Sequence, residues 1–174
     1  GYYEEDMPQG RCLDCGLEFM DSEEMVDVLA EDREELMEHL DCIVLRKQTA
    51  LAGPRDFEIT VAFDVVTGRA QIAYFGPEDR SASILVELDE AESGSLKDAV
   101  LGLHPERWPE CLMPKDVIVL DGWGWSLSLC CQNTMFERSG CNAISEELKA
   151  LLERLEKYGV PALVDDGIDE GCGR

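Results

Sequence analysis

Histidine is nearly missing. The 174 residues hold two, His39 and His104, so the commonest general base is in short supply. His39 falls near the end of a predicted helix, where an imidazole serves the helix dipole. His104 precedes a proline and has no triad partners in its neighbourhood. Recognisable catalytic motifs are missing too. There is no G-x-S-x-G or S-x-x-K nucleophile. Gly122-Trp123-Gly124 lacks the lysine and the helix start of a phosphate-cradling loop. Asp165-Asp166-Gly167-Ile168-Asp169-Glu170 has neither EF-hand spacing nor the closing glutamate of a calcium loop. Asp64 and Glu58 fall on the outer face of a predicted strand with no cleft implied, which argues against a glycosidase pair.

Basic residues are the second shortage. Fifteen Lys and Arg face 38 Asp and Glu, for a formal net charge of −23. Such a charge repels nucleic-acid phosphates and anionic lipid surfaces, and favours basic partners. The acid is concentrated: residues 1–41 carry fifteen Asp and Glu against Arg11 and Arg33. Long apolar runs are missing as well. The longest uncharged run, Gly122 to Phe136, is too short and too polar to span a bilayer. The polar, acidic N-terminus shows no signal-peptide pattern. Eight cysteines are too sparse for a disulfide-built mini-domain. Cys42, Cys130 and Cys131 fall inside apolar strand patterns, where cysteine acts as a small hydrophobe. A reducing, cytoplasmic setting is expected.

What is present is strand alternation. In Phe57 to Phe75, the residues Phe57, Ile59, Val61, Phe63 and Val65 alternate with Glu58, Thr60, Ala62 and Asp64. That is a strand with one buried face. A two-residue turn at Thr67-Gly68 would set Val65 opposite Ala70, Phe63 opposite Ile72 and Val61 opposite Tyr74. A second clean pattern is Trp123, Trp125, Leu127, Leu129 and Cys131 alternating with small residues. Trp123 and Trp125 then face a core, or else a sheet face open to a partner. Further strands are expected at 42–50, 83–88 and 116–120, the last joined to the tryptophan strand through Asp121-Gly122.

Helices are expected at three places. Asp21-Ser22-Glu23-Glu24 resembles a capping box ahead of Met25, Val28, Leu29, Leu36 and Leu40. This reads as one long helix, or two meeting near Ala30. Ser95 is placed to cap a helix through Leu103. Ile144, Leu148, Leu151, Leu152 and Leu155 stripe a helix over 143–158, ended by Gly159 and Pro161. The fold expected is α+β. A mainly antiparallel sheet of five to six strands has helices on one face, in the order α-ββββ-α-ββ-α. Residues 1–20 read as a mobile acidic lead with a CxxC lobe, 21–164 as the domain and 165–174 as an acidic tail.

Cys12-x-x-Cys15-Gly16 is the sharpest local motif. Two thiolates at this spacing suit one zinc ion, and Cys141, Cys172, Cys111 or His39 are the candidates to complete it. A redox pair would need the first cysteine at a helix start, and some five residues separate Cys15 from the expected one. Two ordinary or disulfide-linked cysteines in an exposed lobe are the plain reading.

The element order and low pI resemble those of the class I type III secretion chaperones and similar effector-binding folds. That resemblance implies a small, non-enzymatic, dimeric binding protein. The function expected is capture of a basic protein, in the manner of an immunity protein, antitoxin or secretion chaperone, with no nucleic-acid or membrane partner. The acidic helix residues Glu31, Asp32, Glu34, Glu35 and Glu38 are the expected contact surface. The competing readings are a small zinc protein built on Cys12 and Cys15, and an acidic mimic of DNA. A deep pocket of converging polar groups would count against the binding reading.

Overall fold

The computed structural model describes residues 10–11, 18–19, 22–48, 55–76, 83–113 and 123–161. Strands β1 (Gly10–Arg11) and β2 (Glu18–Phe19) form a separate antiparallel pair. Helix α1 (Ser22–His39) leads into the meander β3 (Cys42–Gln48), β4 (Arg55–Phe63), β5 (Ala70–Phe75) and β6 (Ile84–Leu88). Helix α2 (Glu90–Gly102), a 3-10 turn (Pro105–Arg107) and β7 (Cys111–Leu112) follow. Strands β8 (Gly124–Cys130) and β9 (Met135–Cys141) precede helix α3 (Glu146–Glu156).

The seven longer-range strands form one sheet in the order β6-β5-β4-β3-β8-β9-β7. Every pairing is antiparallel except β7 with β9. The α+β class and the mostly antiparallel sheet therefore hold, while strand count and order differ from expectation. The differences have local causes. Strand β9, MFERSGC, holds Glu137, Arg138 and Gly140, which hide its alternation. The expected strand at 116–120, its turn at 121–122 and the acidic tail lie outside the described residues.

The β4–β5 hairpin forms, with its register two residues from the expected one. Phe63 pairs with Ala70, Val61 with Ile72 and Ile59 with Tyr74. The cause is Asp64. Its carboxylate accepts the N–H groups of Val66 (2.9 Å) and Thr67 (3.3 Å), and its carbonyl accepts from Gly68 (2.8 Å). These bonds build a four-residue loop over 65–68, with Gly68 at φ +73°. Val65 and Val66 are left exposed at its tip. A shift of two keeps every side chain on its face, because the strand period is two.

The two backbone N–H bonds hold the Asp64 carboxyl below its ordinary range. A depressed carboxyl adds stability above its unfolded pKa, about 3.9, and loses it as pH falls through the folded value. Asp64→Ala is therefore expected to lower stability at pH 7, with the gap to the parent closing below about pH 4. Urea unfolding across that range measures it; a gap independent of pH would count against the loop's capping role.

The helices show the same dependence on short polar side chains. Helix α1 is a single helix. Helix α2 begins six residues before the expected start because Asp89, not Ser95, caps it, accepting from Glu92 N at 2.8 Å. Helix α3 is shorter than its apolar stripe, starting where Ser145 accepts from Leu148 N at 3.1 Å. Leu36 and Leu40 follow the α1 stripe, Leu96 and Val100 come from α2, and Leu148, Leu151, Leu152 and Leu155 come from α3. All pack with Ile43, Leu45, Ile59, Ile72, Leu127 and Leu129 in one core. Val44, Thr60, Ala73, Ser126 and Ser128 alternate with those core residues, on the opposite sheet face, and stay half-buried. Trp123 and Trp125 are buried, which answers the core-or-surface question for both. Among the described residues no helix is long and apolar enough to cross a membrane.

Candidate functional site

Helix geometry sorts the five acidic residues of α1. At 100° per residue, Glu31, Glu34 and Glu38 share one side, about 180° from Leu36 and Leu40. All three are exposed. Met37, 56% exposed, lies beside them. Asp32 and Glu35 fall on the flanks and are half-buried. Burial raises the Asp32 carboxyl above its ordinary value, and the Arg138 guanidinium partly offsets this. Glu35 has a buried oxygen with no hydrogen-bond partner among the described residues. So three of the five form an outer stripe, and two turn towards the protein.

A second polar centre lies where α2 ends. His104 leaves the helix in the left-handed region, φ +51°, and Pro105 then starts the 3-10 turn. That bend brings His104 Nδ1 within 2.9 Å of Glu106 Oε1. Glu106 is 5% exposed. Arg33, from α1, stands 3.7 Å from its other carboxylate oxygen and also donates to the Leu101 carbonyl. From β9, Arg138 donates through Nε to the Pro105 carbonyl (3.1 Å) and through Nη2 to the Glu106 carbonyl (3.4 Å). Two arginines from distant elements thus clamp the turn, and a buried carboxylate holds the histidine. Sequence reasoning passed over this pair. The signal was a histidine and a glutamate flanking one proline, read as an irregular connector. The arginines that complete the cluster lie far away in sequence.

Beside this turn is a cavity of about 420 Å³. Trp108, Pro109, Leu112 and Trp125 supply its apolar walls, and His104, Arg107, Ser145 and Glu147 its polar groups. Both indoles are held from within. Trp108 Nε1 donates to the Leu103 carbonyl at 2.9 Å, and Trp125 Nε1 to the Ala143 carbonyl at 2.7 Å. The Ser145 hydroxyl is engaged as the cap of α3. Sequence patterning foresaw no such cavity.

The five described cysteines are free thiols. Cys42 sits opposite Cys130 across β3 and β8. Burial, with Cys130 second, pushes the Cys42 thiol up to about 11. Burial, with Glu35 and Asp41 next, does the same for Cys131, also to about 11. Both are protonated at neutral pH and poor nucleophiles. Cys12 and Cys15, the expected zinc ligands, lie outside the described residues. Among the described residues no three His, Cys, Asp or Glu side chains are placed to hold a metal ion. No protein-family model matches the chain, and no curated protein matches it in sequence.

Proposed function

We propose that this chain is a non-enzymatic binding protein that engages a basic protein partner through the outer stripe of α1. The observation that carries the reading is the placement of Glu31, Glu34 and Glu38 together on the side of the helix turned away from the core. Exposed Met37 beside them supplies apolar contact area. The net charge of −23 adds long-range attraction for a cationic surface, which speeds encounter and makes it sensitive to salt. Free cysteines suit the cytoplasmic setting that belongs to this proposal. Glu35 and Asp32, half-buried, act as supports for the stripe and not as contacts.

The test is capture on immobilised protein at about 50 mM and about 500 mM salt, where the screening length falls severalfold. A basic partner is expected to be held at low salt and released at high salt. The triple variant Glu31→Gln, Glu34→Gln, Glu38→Gln is expected to slow its association about tenfold, since rim charges act mainly on the on-rate. Capture indifferent to both salt and the triple variant would refute the reading.

A further inference from the structure

We propose that the cavity between the 3-10 turn and the start of α3 binds a small zwitterion with an apolar body, of the class of a free aromatic or aliphatic α-amino acid. The size fits: about 420 Å³ lies within the range of small-molecule sites. The walls fit an apolar body. Trp108 and Trp125 have spent their N–H donors on backbone carbonyls, so their rings offer the ligand only apolar surface.

The charges fit a ligand carrying both signs. Arg107 and Glu147 both line the cavity. Neither side chain has a hydrogen-bond or ion-pair partner among the described residues. A carboxylate ligand would satisfy Arg107 and leave Glu147 facing an anion. An amine would do the reverse. A zwitterion satisfies both, and its zero net charge spares it the repulsion that a −23 protein exerts on any anion. The backbone marks the same place. His104, a cavity residue, is held in a left-handed conformation that L residues rarely adopt, and strain of this kind gathers at ligand clamps. The buried Glu106 fixes its ring against the cavity's edge.

L-Phenylalanine, N-acetyl-L-phenylalanine and phenethylamine separate the contributions, followed by isothermal titration and by tryptophan fluorescence. Phenylalanine is expected to bind saturably with a Kd between about 10 μM and 1 mM. Each analogue, lacking one charge, is expected to bind about tenfold more weakly. Arg107→Gln should abolish the preference for phenylalanine over phenethylamine. Glu147→Gln should abolish the preference over the N-acetyl form. Both variants alter surface side chains, and a cooperative melt checks that they fold. L-Leucine serves as the aliphatic probe. No saturable signal with either amino acid up to about 10 mM, a thousandfold above the tighter bound, would overturn the proposal. So would equal affinity for the three phenyl ligands, which would leave only an apolar pocket. The variant lacking the Glu31, Glu34 and Glu38 charges should bind phenylalanine unchanged, so this site and the acidic stripe stand or fall separately.

Discussion

Gly140→Ala is expected to cost about 3 kcal/mol of unfolding free energy, at the upper end for overpacking. A Cβ built on Gly140 falls 2.2 Å from Trp125 Nε1 and 2.8 Å from the Ala143 carbonyl oxygen. The indole cannot yield by a small shift, because it is 5% exposed and bonded to that same carbonyl. Accepting the methyl means moving the ring, breaking the hydrogen bond and disturbing the adjacent sheet pair Trp125–Gly140. Gly94→Ala is the matched control. Nothing lies within 4 Å of its Cβ position inside α2, so the same change is expected to stabilise by up to about 1 kcal/mol. Urea unfolding gives both values. Near-UV dichroism should report the displaced indole in Gly140→Ala. A cost below about 1 kcal/mol would mean that the close approach is not needed.

Arg138→Met comes next, with an expected loss of about 3–4 kcal/mol. The guanidinium is 9% exposed and holds the Pro105 and Glu106 carbonyls. It also faces the charges of Asp32, Glu106 and Glu110. Methionine fills much of the volume and removes the cation those three carboxylates share, leaving Glu106 with Arg33 alone of its two arginines. The pH dependence gives an independent check. Asp32 is raised from 3.8 by burial. Stability linked to a raised carboxyl is full below the unfolded pKa and declines as pH rises through the folded one. Losing Arg138, which pulls Asp32 down, widens that window upward. The penalty of Arg138→Met should therefore be larger at pH 7 than at pH 4, and Asp32→Asn in the same chain should restore part of it. A penalty equal at both pH values would assign the loss to the carbonyl bonds and not to charge.

Both residues sit where sequence patterning is weakest. The β4 alternation, the tryptophan strand and the α3 leucine stripe were legible because burial repeats with the period of the element. Strand β9 was not, since beyond Phe136 its core-facing positions are Arg138 and Gly140. One is charged and the other has no side chain, so neither signals burial. The hairpin register depended on one carboxylate, Asp64, reaching two backbone N–H groups. The start of α2 depended on another, Asp89. Hydrophobic periodicity does not weigh such groups. The acidic stripe could be read from helical spacing, although the inward turn of Asp32 and Glu35 needed the core to be placed first. The cavity is tertiary, its walls coming from the turn region after α2, from Trp125 of β8 and from the start of α3; the bend that carries the His104–Glu106 pair is held by arginines from α1 and β9.

The sheet order has a consequence for the birth of the molecule. Strand β3 lies in the middle, with β4 on one side and β8 on the other. Its first neighbour follows at once along the chain, whereas the second is translated only after residue 123. A growing polypeptide can thus zip the amino-terminal meander early. It must then carry a bare, apolar strand margin until the tryptophan ribbon leaves the ribosome. That interval is the moment of greatest exposure to misassembly, and slowing synthesis between residues 48 and 124 should lengthen it.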